Sequence, residues 1–263
     1  WSNAESTLSS NWDDFIDNGS LDYEYAIGTG TGSSSSNSGD NYSLGFDGDD
    51  DRVELQSQIF SGLESFTIEA WFYANGNQSN NSNILQQDKG IYIRYEEDVQ
   101  RFVAAVFLNN VPYQIPTYNL NLNQWNHFAL TYDGNVITFI LNNNIVGTET
   151  GNGTPFHSSN TIYLGNWQTS EGFNGNIDEL RLWNYALTIE NIQSNQGSNL
   201  LGSEEGLVGY WNFNEGEGNT LTDIGGNDNH GTINGATWSS DGPEILVSAT
   251  NDNILSWTSN SRN

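Results

Sequence analysis

The sequence predicts an all-β protein, a two-sheet antiparallel β-sandwich of jelly-roll type with one short helix. Short apolar segments alternate with polar residues at a period of two, and turn residues separate them at regular intervals. Glycine is frequent (28 residues) and proline is rare (4), which is typical of short strands joined by Gly, Asn and Asp turns. The 9 Trp, 12 Tyr and 12 Phe residues favour strands and can fill a core between two sheets.

The first half of the chain supplies the clearest strand patterns. Residues 28–41, GTGTGSSSSNSGDN, are rich in Gly, Ser and Asn and are predicted to form a flexible loop. In SFTIEAWFYANG, one face of the predicted strand carries Phe66, Ile68, Ala70 and Phe72, and the other carries Thr67, Glu69, Trp71 and Tyr73. In GIYIRYEED, the alternating sets are Ile91, Ile93 and Tyr95 against Tyr92, Arg94 and Glu96. Each segment therefore predicts a strand with one face in the core.

The second half adds a hairpin, further strands and the helix. QWNHFALTYDGNVITFILNNNIVG contains two predicted strands joined at residues 132–135, where Asp133-Gly134 is the hairpin signal. TIYLGNW, NIDELRLWN and GLVGYWNFN are three further strand candidates. Residues 187–195, LTIENIQSN, are predicted to form a short helix, because Thr188 is a good N-cap and Glu190 lies in the first turn.

The charge of the chain excludes two classes of partner. Six basic residues against 33 acidic ones give a net charge of −27. Such a chain cannot displace counterions from a phosphate backbone, so nucleic acid is excluded as a partner, and attraction to anionic membranes is not expected. Two interpretations of the carboxylates remain open, namely solubility in salty surroundings and attraction for divalent cations.

The absence of two residue types narrows the chemistry further. Without Cys, the chain has no disulfide, no thiolate zinc site and no thiol nucleophile. Without Met, residue 1 is not a translation start, so we expect a processed product or a fragment. The sequence contains no run of about 18 apolar residues, so membrane insertion is not expected.

The order of the segments resembles that of a known family. FDGDDDRVEL, FTIEAWFYAN, WNHFALTYDG with VITFILNNNIVG, and GNIDELRLWNYALTIENIQ follow one another as in bacterial laminin G-like, concanavalin A-like jelly rolls, which are related to pentraxins and legume lectins. The closing GLVGYWNFNEGEGNTLTDIGGNDNHGTINGATW is similar to a segment that accompanies such domains. The resemblance covers residues 44–241 and implies the jelly-roll fold, although that fold hosts lectins, adhesins, spacers and hydrolases alike.

The two ends resemble a different kind of module. Within residues 1–43, the stretch 8–30 is similar to part of a fibronectin type III-like module and a Gly/Ser linker follows it. Residues 242–263 look like the start of a following β-sandwich module. The resemblance therefore implies a laminin G-like unit between neighbouring modules of one long polypeptide. Alternatively, both ends are extra strands that pack on the jelly roll, an arrangement that would bury Val247, Leu255 and Trp257.

The acidic stretch FDGDDDRVEL raises the question of a calcium site. Counted from Asp47, the Gly and Glu positions of an EF-hand loop hold Arg52 and Gln58, so the stretch is not an EF-hand. The family resemblance instead implies a structural Ca²⁺ at the rim, held by oxygens from separate loops. We predict that three patches converge on it and supply the ligands Asp47, Asp178, Asp223, Asn227 and Asn229. The alternative is that the aspartates simply make turns.

A polar strand face and several loop aromatics are the candidates for carbohydrate binding. One interpretation of the polar face is cross-strand ion pairing of Glu69 and Glu179 with Arg94 and Arg181. The other is a concave groove in which Trp71 stacks on a sugar while the charged groups bind hydroxyls. The candidate ligand-binding residues, including two aromatics in or beside polar loops, are Trp71, Arg94, Tyr113, Trp167 and Arg181.

Catalysis has little support in the sequence. A retaining glycosidase needs two carboxylates about 5 to 5.5 Å apart across the bond, whereas the adjacent Asp178 and Glu179 point to opposite faces of a strand. The sequence therefore predicts a non-catalytic, Ca²⁺-stabilised carbohydrate-binding or adhesion module of a secreted or cell-surface multimodular bacterial protein. Its partners would be a glycan and the neighbouring modules. The alternatives are a structural spacer of a long extracellular adhesin or filament and, with least support, a glycan hydrolase or lyase.

Overall fold

The computed structural model describes residues 41–155, 160–167 and 171–244. Strands dominate this part of the chain. The strands are β1 (Ser43–Asp47), β2 (Arg52–Leu55), β3 (Phe66–Ala74), β4 (Ser82–Gln87), β5 (Ile91–Glu96), β6 (Arg101–Leu108), β7 (Val111–Thr117), β8 (Trp125–Tyr132), β9 (Val136–Leu141), β10 (Asn144–Thr150), β11 (Ile162–Leu164), β12 (Asn174–Trp183), β13 (Leu207–Trp211), β14 (Thr220–Leu221), β15 (Gly231–Asn234) and β16 (Thr237–Ser239). The helix α1 (Ile189–Asn195) lies between β12 and β13.

The strands form two antiparallel sheets. Sheet A has the order β10-β9-β8-β3-β12-β1-β16, with β13 also paired to β12. Along β12, β1 pairs with the first half and β13 with the second half. Sheet B has the order β14-β15-β2-β11-β4-β5-β6-β7. The predicted two-sheet antiparallel β-sandwich with one short helix is confirmed.

The core lies between the inner faces of the two sheets, as the alternation of apolar residues predicts. Phe72 of sheet A stacks on Phe102 of sheet B with ring centroids 5.0 Å apart, and Phe102 also packs against Phe139 at 5.6 Å. All three side chains are fully buried. Replacing any one of them by Ala would leave a cavity and cost roughly 3–5 kcal/mol of stability. This packing fixes which strand residues face outward and are available for other roles.

The hairpin between β8 and β9 follows the sequence prediction. Gly134 adopts a φ of +97°, which a residue with a side chain rarely tolerates. The Asp133 carboxylate accepts hydrogen bonds from the backbone N–H groups of Asn135 (2.8 Å) and Val136 (2.7 Å). Both residues therefore contribute to the turn, Gly134 through its backbone conformation and Asp133 through its side-chain hydrogen bonds.

Helix α1 covers the outer face of sheet A. Thr188 caps it as predicted, since its hydroxyl oxygen accepts a hydrogen bond from the Asn191 N–H at 3.3 Å. Ile192 is the buried residue of the helix and belongs to a small second core on this face. The other buried members of that core are Ala129, Ile140, Trp183, Leu187, Leu207 and Tyr210. One outer face of the sandwich is thus closed by a helix.

The two ends of the described domain lie side by side. Ser43 of β1 pairs with Ser239 of β16, and the Ser43 hydroxyl donates to the Asp241 carbonyl oxygen at 2.7 Å. Residues 1–40 and 245–263 lie outside the described residues, so the fibronectin type III-like flanks and the alternative of extra strands stay predictions. None of the helices that the structure describes is long and apolar enough to cross a membrane.

Candidate functional site

The acidic loop between β1 and β2 brings three carboxylates together. Carboxylate oxygens of Asp47, Asp50 and Asp51 lie within 4.8 Å of one another. Gly48, at a φ of +90°, turns the chain, and the Asp47 carboxylate accepts the Asp49 N–H at 2.9 Å. The sequence prediction that Asp47-Gly48 makes a turn is therefore consistent with this geometry, and the same turn gathers the carboxylates.

Asp51 is the buried member of the three. Only 8% of the residue is exposed, and its Oδ2 accepts the Asp47 N–H at 3.0 Å. Burial raises the pKa of Asp51, and the neighbouring charges of Asp47 and Asp50 raise it further, against a lowering by that backbone hydrogen bond. Within the described ranges, no basic side chain forms an ion pair with the three carboxylates, and the nearby Arg52 pairs with Glu54 at 2.9 Å.

A pocket of about 290 Å³ opens beside this loop. Its wall combines glycine backbone with short polar side chains. The lining residues are Gly45, Phe46, Asp47, Asp51, Asn75, Gly175, Asn176, Gly235 and Thr237. A Cβ at Gly235 would lie 2.1 Å from Asp51 Oδ1, so a glycine is needed for the carboxylate to reach the pocket wall. The arrangement can bind a cation at the carboxylates and a small polar ligand next to it.

The segment after β11 borders the acidic loop on another side. The Asn166 amide donates to the Asp49 carbonyl oxygen at 2.6 Å, and Gly172 lies so close to Gly48 that a Cβ there would meet the Gly48 carbonyl oxygen at 2.5 Å. Trp167, a predicted ligand-binding residue, is half-buried and directly follows Asn166. The fold therefore places its segment next to the acidic loop, although sequence analysis did not connect the two.

Asp178 does not join the acidic loop. Asp47 pairs with Asn174 on β12, and Asp178 lies four residues further along that strand, which is about 13 Å away at the usual rise per residue. The residue is 1% exposed, and its Oδ1 accepts the Glu179 N–H at 2.7 Å in a strand irregularity. Burial raises its pKa well above the usual range, and the Glu179 carboxylate adds to the effect.

The third predicted patch is also separate. Asp223 accepts hydrogen bonds from the N–H groups of Tyr210 (3.0 Å), Gly225 (2.8 Å) and Asn229 (3.1 Å). Its own N–H donates to His230, just before β15, whereas Asp51 contacts Gly235, just after β15. The two aspartates thus lie at opposite ends of that strand. The three patches do not converge on one site as the sequence analysis expected.

The amides of Asn227 and Asn229 hold the same loop closed. Asn227 donates to the Val208 carbonyl oxygen at 2.9 Å, and Asn229 donates to it at 3.1 Å. Together with the three bonds to Asp223, they fix the loop on β13 through backbone contacts. This geometry matches the alternative that Asp223 makes a turn.

Two predicted sugar-binding residues, Trp71 and Arg181, lie on the outer face of sheet A beneath the end of α1. The Trp71 indole N–H donates to the Gln196 carbonyl oxygen at 2.9 Å. Arg181 is 1% exposed and donates to the carbonyl oxygens of Asn195 (2.5 Å) and Ser198 (2.7 Å). Both side chains therefore hold the end of the helix segment on the sheet through hydrogen bonds to its carbonyl oxygens.

Buried acid and base groups surround Arg181. Its guanidinium donates to Glu179 Oε2 at 2.5 Å, and the Tyr210 hydroxyl donates to the other oxygen of this carboxylate at 3.0 Å. Glu69 accepts the Trp183 indole N–H at 3.0 Å. Burial raises the pKa of Glu69 to about 7, although Arg181 and this hydrogen bond lower it. Such a network is costly to disturb because its groups are out of water.

His127 belongs to the same buried network but is uncharged. Burial and the nearby Arg181 charge lower its pKa to about 3. Its Nε2 lies 3.6 Å from Glu69 Oε2, which is therefore no ion pair at neutral pH. The edge of the Trp71 ring packs against it with centroids 5.2 Å apart. A structural role for His127 fits this environment.

The other two predicted residues lie elsewhere again. Arg94 is on the outer face of sheet B, where it pairs with Glu96 at 2.6 Å. The expected pairing of Arg94 with Glu69 or Glu179 is wrong, because those glutamates belong to sheet A. Tyr113 sits opposite Val106 and packs against the core, so it faces the space between the sheets.

Sequence reasoning missed most of the pocket wall. Asn75, Asn176 and Thr237 come from the ends of β3, β12 and β16, which are far apart in the chain. Among the pocket residues that were missed, only Asp51 had a pattern in the sequence that indicated its position. It is in phase with the buried Val53 and Leu55, so strand alternation would have turned its side chain inward.

Comparison with known proteins agrees with this two-sheet jelly roll. Residues 47–193, more than half of the chain, match the family model described as the concanavalin A-like lectin/glucanases superfamily. The chain therefore belongs to that superfamily. No curated protein sequence is significantly similar to the chain.

Several solved structures are similar to this chain. One is a proposed carbohydrate-binding protein from Bacteroides ovatus, with a TM-score of 0.64 and 21% identity over 76% of this chain and 59% of that protein. Another is a heptameric SAP-like pentraxin from Limulus polyphemus (TM-score 0.44, 15% identity, 59% of this chain and 81% of that one). A third is the sialidase CBM40 of Ruminococcus gnavus with sialyllactose (TM-score 0.47, 10% identity, 59% of this chain and 96% of that one). At 21% identity, the likeness to the Bacteroides ovatus protein shows the fold alone.

Proposed function

We propose that this domain is a non-catalytic carbohydrate-binding module that holds Ca²⁺ at the acidic loop. The observation that carries the proposal is the convergence of Asp47, Asp50 and Asp51 beside a polar pocket that Asp47 and Asp51 line. The superfamily contains lectins as well as glucanases, which supports the ligand class without fixing it. We further propose a secreted or cell-surface multimodular bacterial protein as the setting, with adhesion or polysaccharide capture as its role.

The donor set suits calcium. Ca²⁺ prefers hard oxygen ligands at about 2.3–2.6 Å, so two oxygens on one ion are at most about 5 Å apart. The three carboxylates meet this limit, since their oxygens lie within 4.8 Å of one another. No basic group neutralises them in the described part of the chain. A bound cation would relieve the mutual repulsion that raises the pKa of Asp51.

The pocket suits a sugar more than an apolar ligand. Its volume of about 290 Å³ is near the lower end of the range for small-molecule sites, about 300–1,000 Å³. Asn75, Asn176 and Thr237 offer amide and hydroxyl groups that can pair with sugar hydroxyls. The neighbouring segment carries Trp167, an aromatic residue suited to packing on a sugar ring.

The placement of the acidic residues supports a role without catalysis. Glu69 and Glu179, two carboxylates that share one face, are 0% and 2% exposed and lie under α1. A polysaccharide cannot reach them without displacing the helix. At the acidic loop, no general acid is paired with a nucleophile across an open cleft in the geometry of a glycosidase.

The experiment is a calcium titration combined with glycan binding. Calcium should raise the Tm, because a ligand that binds only the native state adds about 2.7 kcal/mol at 100 times its Kd. Asp51→Asn should abolish this increase, while Asp98→Asn, at an exposed position in the β5–β6 turn, should preserve it. A glycan array read with and without EDTA then tests the sugar. An unchanged Tm contradicts the calcium site, and an array without any retained glycan favours the structural spacer.

A further inference from the structure

The outer face of sheet B collects the positive charge of this acidic protein. The chain has six Lys and Arg residues in all, and Arg52, Arg94 and Arg101 all point outward from this sheet. Of the remaining basic residues, Lys89 lies in a turn, Arg181 is buried in sheet A, and Arg262 is outside the described residues. In a chain of net charge −27, such clustering is unexpected for a merely solvated surface.

Two of these arginines share one carboxylate. Arg94 donates to Glu96 Oε1 through Nε (3.0 Å) and Nη2 (2.6 Å), and Arg101 donates to Glu96 Oε2. Burial would raise the pKa of Glu96, but the hydrogen bonds from Arg101 and Arg94 lower it below the usual range. Glu96 is therefore ionised at neutral pH. These two guanidinium groups and one carboxylate have a net charge of +1, and the adjoining β5–β6 turn adds the carboxylates of Glu97 and Asp98.

The arginine pair, Arg94 and Arg101, is held in place and partly open to solvent. Arg94 lies over the Tyr92 ring with 4.3 Å between the guanidinium carbon and the ring centroid. The side chains of Arg94 and Arg101 are 22% and 30% exposed. Nη1 of Arg94 makes no hydrogen bond within the described residues. An oriented guanidinium with free N–H groups can receive a carboxylate without first being ordered.

Aromatic and amide side chains lie around the arginine pair. Strand register places Tyr163, Gln86 and Tyr92 in one row across β11, β4 and β5. Gln86 is 6% exposed, and its Oε1 is buried without a hydrogen-bond partner. Tyr118, 68% exposed, lies beside Arg101 on the other side of the pair. Aromatic rings and an amide thus flank the charged groups.

We infer that this face binds a carboxylate-bearing sugar residue of a glycan, without calcium. The sugar carboxylate would accept hydrogen bonds from Arg94 and Arg101, while its ring packs beside the tyrosines. Charges separated by more than about 8 Å are largely screened at physiological salt, so the distant acidic surface has little effect and the directed hydrogen bonds of the two guanidinium groups govern binding. The inference rests on the proposed carbohydrate function for its ligand class, but it uses a surface separate from the acidic loop.

The test compares trigalacturonate with its methyl ester in EDTA and 0.15 M salt by isothermal titration calorimetry. The acid should bind and the uncharged ester should bind at least about tenfold more weakly, because hydrogen bonds to charged groups contribute about 1.5–3 kcal/mol each. Arg94→Gln and Arg101→Gln should each weaken binding of the acid by about tenfold or more. Arg94→Lys, which keeps the charge and loses the planar fork, should give an intermediate loss.

One further variant and the calcium titration separate this inference from the proposed function. Asp51→Asn should leave binding of trigalacturonate in EDTA unchanged, because the acidic loop is not used. Equal binding of acid and ester, absence of binding, or a loss with Asp51→Asn instead of Arg94→Gln would overturn the inference. Failure of the calcium titration alone would overturn the calcium site and leave this surface standing. Circular dichroism of each variant shows that the fold is retained.

Discussion

The two outer faces of the sandwich carry the same triad of side chains in opposite environments. On sheet A, Arg181 pairs with Glu179 two residues away and lies 5.3 Å from the Tyr210 ring centroid. On sheet B, Arg94 pairs with Glu96 two residues away and lies 4.3 Å from that of Tyr92. The first triad is sealed under α1, whereas the second is partly open. The three residue types are the same on both faces. Whether another segment covers the triad therefore decides whether it stabilises the fold or is available for a ligand.

The largest difference in stability between the two faces is expected when the arginine of each triad is replaced by alanine. Arg181→Ala leaves Glu179 buried without its partner and frees two carbonyl oxygens at the end of α1, so it should destabilise the domain by about 3–5 kcal/mol. Arg94→Ala should cost at most about 1 kcal/mol, since this pair is near solvent and screened. Urea unfolding of both variants measures the contrast. Equal losses would mean that the two triads do not differ in role.

The next effect is a pH dependence confined to the covered face. The pKa of Glu69 rises from 4.5 to about 7 on folding, so its contribution to stability is complete below pH 4.5 and is lost as pH rises through 7. The loss amounts to about 3 kcal/mol. Glu69→Gln cannot ionise, so its stability relative to the native sequence should grow by about this amount between pH 4.5 and 8.

His127 has the opposite pH trend, but it is present in both the Glu69→Gln variant and the native sequence. The difference in stability between these two proteins therefore cancels its contribution. Its pKa falls from 6.5 to about 3 on folding, so its contribution is present above pH 6.5 and is lost as the pH falls. A flat difference for Glu69→Gln would show that Glu69 ionises normally in the fold.

A smaller effect tests how Trp71 holds the helix. Trp71→Phe keeps an aromatic ring but loses the hydrogen bond to the Gln196 carbonyl oxygen, which should cost about 1 kcal/mol. Amide exchange in residues 189–196 should accelerate by roughly fivefold to tenfold. Trp125→Phe is the control, because the Trp125 indole N–H is buried without a partner and no hydrogen bond is lost there. Identical exchange in both variants would exclude an anchoring role for Trp71.

The sequence predicted the fold well because strand periodicity is local. Alternation assigned Glu69, Trp71 and Arg181 to outward positions correctly, and the Asp133-Gly134 turn and the Thr188 cap are each set by a few neighbouring residues. It could not predict that α1 lies over those outward residues, since that contact joins segments more than 100 residues apart. The groove around Trp71 therefore stays a prediction, and the helix segment covers part of that face.

The candidate site was predictable only in part. The acidic run pointed to Asp47, but alternation gives no distance between loops, so Asp178 and Asp223 were grouped with it although strand lengths separate them. Arg94 was paired with glutamates of the wrong sheet because outward positions on the two sheets look the same in sequence. The structure resolves these ambiguities through register, which only the complete set of strand pairs defines.

The smallest expected effect tests whether helix α1, which lies over sheet A, opens independently of the two sheets. Thr188→Ala removes the N-cap acceptor of α1 and should cost about 1 kcal/mol, while Thr188→Ser keeps the hydroxyl and should behave like the native sequence. We expect faster amide exchange at Ile192 and Gln196, whose N–H groups bond within this short helix, with unchanged exchange in β3 and β8. Parallel acceleration in helix and strands would contradict this, because the cover and sheet A would then open as one unit. If the expected pattern holds, local opening of α1 is enough to expose the triad on sheet A to solvent, as the triad on sheet B is already partly exposed.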